Sequence, residues 1–354
     1  CMKCAVSAPG RICLFGEHQD YFGFPVVASA IDLRATIESS SRTDRLVHLH
    51  LSDLDQQFTY DLDGLPEPNP RDYWLIALHL AKREGWLPEW GWNARVASQI
   101  PMRAGASSSS ALLVAWCALI AERRGMSWRQ EWVAHAAWRA EVEWFDEPGG
   151  MMDQTVCALG GTQSITFDPD FQTTLLTDPS GCWVLFDSHQ AKDTLGVLAR
   201  AKDRRLELLQ EWEDHGQSNW NVRPPFFPSH WDAEDQRLMM TTLENRRISA
   251  EGTTALAQKN PVLERIGRLL VAHHQLLSKG IAVSTPRIDG ILASAHSAGA
   301  LGGKINGSGG GGTGFVLCYP EHLEGVMAAI ANAHGAPIPI ALGAEGVRLE
   351  DSIN

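Results

Sequence analysis

Pro101-Met-Arg-Ala-Gly105-Ala106-Ser107-Ser108-Ser109-Ser110-Ala111 runs without a break into an apolar stretch that ends at Arg123, Arg124 and Gly125. The apolar spacing, the basic last turn and the closing glycine predict a helix over 111–124. A glycine lets the backbone approach a ligand closely, and the serines add hydroxyl donors. The helix behind them directs unpaired N–H groups and its positive dipole end into the loop, so an anion belongs there. No GxxxxGK[ST] run occurs, so the lysine of a P-loop has to be replaced by backbone donors and a magnesium ion. Four serines alone read as a connection. The proline before them and the helix after them favour a phosphate loop.

Working outward, a second polar cluster lies in Ala8-Pro9-Gly10-Arg11-Ile-Cys-Leu-Phe-Gly16-Glu17-His18-Gln19-Asp20-Tyr21. Donors and acceptors set beside an apolar strand suit a hydroxyl-rich ligand, although a polar hairpin turn has the same composition. A third stretch is Gly302-Gly303-Lys304-Ile-Asn306-Gly307-Ser308-Gly309-Gly310-Gly-Gly312-Thr313-Gly314. Its composition is that of a flexible linker, but it sits between a helix and the apolar strand Phe315 to Leu317, where a folded, functional turn belongs.

The remaining pattern predicts an α+β chain. Strands are expected at 5–7, 12–15, 26–33, 46–51, 58–62, 94–100, 183–186 and 315–319. Helices are expected at 73–83, 194–213, 235–251, 261–278, 288–296 and 321–334. Ser127 and Gln130 form a capping box for a helix reaching Phe145. The Pro-rich stretch Arg223 to His230 is a connection, and the tryptophans at 86, 90, 92, 116, 128, 132, 138 and 144 read mostly as packing.

The bulk numbers bound the function. A chain of 354 residues exceeds one ordinary core, so two domains with a cleft are expected, divided near 180 into 1–180 and 181–354. With 44% hydrophobic and 20% charged residues and no apolar run of membrane length, no membrane segment is expected. No signal-peptide pattern stands at Cys1 to Gly10, and the seven cysteines are odd in number and mostly in apolar segments, so a reducing cytoplasm is expected. The CxxC at Cys1 and Cys4 has no second pair to complete a zinc site. A net charge of −12 disfavours nucleic acid.

Taken together, PGR…GEH at 9–18, the Pro101–Ala111 loop and the glycine run from Lys304 resemble, in order and spacing, the three motifs of the GHMP kinase superfamily. Glu147-Pro-Gly-Gly150-Met151-Met152-Asp153-Gln154 and GEHQDY resemble galactokinases in particular, as do Ser284 to Asp289 and Glu244 to Arg247. The resemblance implies an N-terminal ribosomal-S5-like domain, a C-terminal ferredoxin-like domain and an active-site cleft between them. It implies transfer of the γ-phosphoryl group of ATP to a monosaccharide hydroxyl, the anomeric one in galactokinases.

By position, the resemblance implies that Asp153 and Arg11 are the catalytic pair and that Glu17, His18, Asp20, Tyr21 and Gly150 bind the sugar. It implies that Gly105, Ala106, Ser107, Ser108, Ser109 and Ser110 hold the ATP phosphates and that Gly307, Gly309 and Gly310 form the C-terminal glycine loop. Ser109, with Ser108 as the other choice, and Glu141, with Glu143 as fallback, are the expected holders of Mg2+. The implied partners are a small-molecule sugar and ATP, in a monomer or homodimer. Ser188 to Thr194 lacks the tyrosine that closes over the sugar in galactokinases, and Phe22 and Phe24 also depart from their pattern, which points to a monosaccharide other than galactose. The run from Leu14 to Pro25 also admits a mevalonate-type kinase, and galactokinase-like regulators admit a non-catalytic sensor.

Overall fold

The computed structural model describes residues 3–101, 105–147, 149–191, 194–214 and 227–351. The expectations placed on Cys1, Lys192, Asp193 and Arg223 lie outside these residues. In chain order the elements are β1 (Lys3–Phe15), β2 (Val26–Ser41), β3 (Leu46–Leu51), β4 (Gln56–Asp61), α1 (Tyr73–Glu84), β5 (Trp92–Ser98), α2 (Ser108–Arg124), α3 (Gln130–Trp138) and α4 (Met152–Leu159). They continue as β6 (Thr162–Thr166), β7 (Gln172–Leu176), β8 (Cys182–Asp187), α5 (Thr194–Asp214), α6 (Ala233–Leu256), α7 (Leu263–Gln275) and α8 (Pro286–Ser297). The last are β9 (Ala300–Ile305), β10 (Thr313–Cys318), α9 (Leu323–Asn332), β11 (Ala336–Ile340) and β12 (Arg348–Glu350).

Among the described residues the strands form two sheets. The first runs β12-β1-β2-β5-β3-β4, with β6 and β7 continuing from β2. The second runs β11-β8-β10-β9, all antiparallel, which numbered within itself is the 4-1-3-2 order of a ferredoxin-like βαββαβ unit. The chain therefore has the two mixed α and β lobes that were expected, the second of them ferredoxin-like. The expected division at 180 falls between β7 and β8. The chain then crosses back: Arg348–Glu350 pairs with β1, and Ile31 and Gly160 bridge to Leu342 and Glu345.

Helix α2 explains why the phosphate loop is held firmly. Leu113, Val114, Trp116, Cys117, Leu119 and Ile120 are all buried, so the helix is apolar nearly all round and lies in the core. Full burial of each large aliphatic side chain stabilises by roughly 1.5–3 kcal/mol. Trp116 packs edge-on against Trp74 at 5.3 Å, Trp92 stands 5.6 Å from it, and Trp86 meets Trp132 at 5.1 Å, so these rings are packing. Trp90 is exposed.

Local expectations failed where tertiary contacts intervened. Pro9 and Gly10 do not split β1. Pro9 lies beyond the pairing with β12, at a register shift against β2, where a strand tolerates a missing N–H. The Ser127–Gln130 capping box does not form, because the Gln130 amide donates to the Val347 carbonyl instead. Gly302 and Gly303 belong to β9 rather than to the glycine loop. A Cβ on Gly302 would lie 2.0 Å from the Gly267 carbonyl oxygen, so α7 packs directly on the strand backbone.

Candidate functional site

The phosphate loop turns into α2 through two left-handed residues, Gly105 (φ 95°) and Ser107 (φ 58°). Ser107 precedes the first helical turn without capping it, and its Oγ is buried with no hydrogen-bond partner. An orphaned hydroxyl beside unpaired helix N–H groups is a site that an anion completes. One turn further, Ser109 Oγ donates to Glu141 Oε1 at 3.0 Å and Ser110 Oγ to Glu141 Oε2 at 2.8 Å, while the Gln154 amide reaches Oε2 at 2.6 Å. Glu141 sits in a π-helical turn, Arg139–Glu143, that extends α3. Burial pushes its carboxyl up, and the three hydrogen bonds oppose that shift. Glu143 lies outside this cluster, paired with Arg139 at 2.7 Å.

Arg11 and Asp153 meet as expected. Nε and Nη2 of Arg11 donate to the two Asp153 oxygens at 2.8 and 2.9 Å, a bidentate pair, and Nη1 donates to the Gly105 carbonyl at 2.7 Å. The Arg11 side chain is 4% exposed and that of Asp153 30%, so Asp153 presents the open side of the pair. Burial acts against the guanidinium charge, yet Asp153 and Glu17 together raise its pKa. Asp153 lies in the first turn of α4, so its position is set by the helix that carries Gln154 to Glu141.

The Glu17–Tyr21 loop divides into two groups. Glu17 and His18 are buried and turned inward. Glu17 Oε2 accepts from Lys304 Nζ at 2.8 Å and from the Gly307 N–H at 3.0 Å. His18 Nδ1 lies 3.1 Å from the Tyr21 hydroxyl and Nε2 lies 3.0 Å from the Ser308 carbonyl. Burial, against the pull of Glu17 and with a smaller push from Arg205, brings the His18 pKa down to about 4, so the imidazole is neutral. Both side chains are engaged within the protein and shape the loop that carries Asp20. Asp20, Tyr21 and Gly150 are only partly buried. A Cβ on Gly150 would lie 2.0 Å from Asp20 Oδ2, so Gly150 is where the backbone passes against this carboxyl. Burial first, then the charges of Asp153 and Glu17, push Asp20 up to about 7.

The glycine loop closes the site from the second sheet. Gly307, Gly309 and Gly310 all have positive φ, and Gly310 N–H donates to Val283 O at 2.8 Å. Asn306 spans both sheets: its Oδ1 accepts from Cys13 N–H at 2.9 Å and its Nδ2 donates to the Gly105 carbonyl at 3.0 Å.

Four residues with contacts at this site had been given no role from sequence: Lys304, Asn306, Asn245 and Arg205. Asn245 Nδ2 donates to the Glu17 carbonyl at 2.9 Å. Arg205 carried a signal, since it stands in the apolar stripe of α5 with buried Ala201, Leu208 and Trp212.

The arrangement sets a carboxylate, an arginine and a hydroxyl-lined helix start in one cleft, the elements of phosphoryl transfer to an alcohol. The descriptions "GHMP kinases N terminal domain", "GHMP kinases C terminal" and "Galactokinase galactose-binding signature" match residues 73–161, 255–336 and 2–40. The mevalonate kinase of Thermococcus gammatolerans is 26% identical, over 99% of this chain and 100% of its own length. The galactokinase of Roseiflexus sp. is 29% identical, over 93% and 87%. Among solved structures, Lactococcus lactis galactokinase complexed with galactose superposes with a TM-score of 0.83 at 18% identity, covering 98% of this chain and 95% of its own. Methanococcus jannaschii mevalonate kinase does so at 0.72 and 20%, covering 96% and 98%. With these matches spanning well over half of its length, the chain belongs to the GHMP kinases and is a phosphotransferase.

Proposed function

We propose that this GHMP kinase transfers the γ-phosphoryl group of ATP to a hydroxyl of a neutral monosaccharide, the anomeric one, giving a sugar 1-phosphate. The observation that carries the reading is the Arg11 bridge, whose guanidinium grips both Asp153 oxygens and the Gly105 carbonyl of the phosphate loop. Asp153 orients the acceptor hydroxyl and takes its proton as the new O–P bond forms and the bond from phosphorus to the ADP oxygen breaks. Arg11 offsets the charge gathering on the transferred group, and the α2 start with Ser107 Oγ receives the phosphate oxygens. Magnesium prefers oxygen ligands, and the Ser109 hydroxyl with the Glu141 carboxylate offers that chemistry. When bound, the ion neutralises phosphate charge.

A sugar is favoured over mevalonate by the hydrogen-bonding groups of the acceptor side. Asp20 and Asp153 offer carboxyl oxygens to substrate hydroxyls, while Arg11 and Lys304 are paired with Asp153 and Glu17. The galactokinase signature over 2–40 supports the same reading. Mevalonate remains the second reading because several relatives carry that name, including those of Thermococcus sibiricus and Pyrococcus furiosus. ADP release measured on a panel of neutral monosaccharides, uronic acids and mevalonate tests it. Turnover on a neutral sugar supports the proposal; turnover on mevalonate alone sinks it, and no turnover with any acceptor points to a sensor.

A further inference from the structure

Arg205 of α5 is 1% exposed, and no carboxylate pairs with it among the described residues. Its Nε donates to Thr242 Oγ1 of α6 at 2.8 Å and its Nη1 to the His18 carbonyl at 2.9 Å. The guanidinium also stands against the Tyr21 phenol and lies 4.7 Å above the Phe22 ring. One side chain thus touches His18, Tyr21 and Phe22, which flank Asp20. A buried arginine without a counter-ion is costly, and here carbonyl and phenol dipoles and a ring face offset the cost only in part, since Nη2 is buried with no hydrogen-bond partner. A second observation concerns the loop. His18 has φ 62°, a conformation that a non-glycine residue keeps only when its surroundings over-determine it. The surroundings are Arg205 on its carbonyl, with Tyr21 and Ser308 on its ring.

We infer that Arg205 is a positioning residue for the acceptor substrate. It fixes the left-handed turn at His18 and thereby the place of Asp20, and it does so from α5. Arg205 touches neither acceptor nor nucleotide in this scheme; it acts through the loop. Lysine cannot replace it, because one ammonium cannot lie flat on Phe22 while reaching both Thr242 and the His18 carbonyl.

The inference rests on the acceptor site proposed above, so it is measured with whichever alcohol the wild-type protein phosphorylates. If that alcohol is mevalonate, the sugar reading falls while the role of Arg205 is still tested. Arg205→Lys and Arg205→Met are compared with Arg204→Met, which removes an ion pair to Asp235 between the same two helices without touching the loop. The expected result is a KM for the acceptor raised about tenfold or more in both Arg205 variants, with the KM for ATP within about twofold and Arg204→Met unchanged. Guanidinium ion added to Arg205→Ala restores part of the acceptor affinity. An unchanged acceptor KM in either Arg205 variant overturns the inference. So does a joint loss of both KM values that guanidinium does not repair, or a failure of every Arg205 variant to fold, since those are the marks of a purely structural arginine.

Discussion

Lys304 Nζ lies 2.8 Å from Glu17 Oε2 across 287 positions of sequence, and the two side chains are 0% and 3% exposed. The pair joins the turn after β1 to β9 of the second sheet, so it ties the two lobes at the floor of the cleft. Removing one member of a buried ion pair leaves the other uncompensated, which costs about 3–5 kcal/mol. Lys304→Met and Glu17→Gln should each lower the stability by that order in denaturant titrations. The double variant should lose much less than the two losses added together. Additive losses would show that the residues are not coupled.

Asp153→Asn keeps the shape of the side chain and loses its basicity. Nucleotide affinity should stay within about twofold while kcat falls by about 10²- to 10⁴-fold, the usual range for a positioned proton acceptor. Equal activity with wild type would remove Asp153 from the chemistry.

Asp20 introduces a pH dependence whose sign is fixed. Its carboxyl titrates near 7 in the folded protein, pushed there by burial and by Asp153 and Glu17, against an ordinary value of 3.8; Arg11 pulls the other way. The folded state therefore holds the proton more tightly, and the contribution of Asp20 to stability falls between about pH 4 and pH 7 before levelling off. Full expression of the shift would correspond to an upper bound of roughly 4 kcal/mol. Asp20→Asn should be more stable than wild type at pH 8 and lose that advantage near pH 4 in thermal melts. A difference that is constant with pH would refute the assignment.

Glu141→Gln removes one anionic oxygen while preserving shape. The magnesium concentration needed for half-maximal activity should rise about tenfold or more, with the acceptor KM little changed. The Glu143→Gln variant is the contrast and should leave the magnesium requirement alone, because Glu143 is turned to Arg139.

Much of the site could be read before the fold was known, because its side chains cluster in three short, glycine-punctuated runs. Arg11, Asp153 and the serine loop lie within such runs, and the twelve-residue step from Glu141 to Asp153 marks the two together. The inward turn of Glu17 and His18 could not be read there. Their partners, Lys304 and Ser308, come from the far half of the chain, and no local periodicity encodes a contact across 287 or 290 positions. Arg205 was hidden in the same way, its partner His18 lying 187 positions earlier. The strand and cap errors share this cause. Pro9 and Gln130 obey local rules in isolation, but Pro9 is absorbed at a register shift against β2 and the Gln130 amide goes to Val347.

The return of the chain to its first sheet orders events during synthesis. Ser7 and Glu350 bond to each other 343 positions apart, so β1 has no partner on that side until the second lobe has already been translated. A nascent first lobe emerging from the ribosome therefore carries an open strand edge, the kind of surface that recruits other chains. Arg348, Leu349 and Glu350 act as a late-arriving cover, and truncating the chain before them would expose newly made protein to aggregation even though the cleft itself is complete.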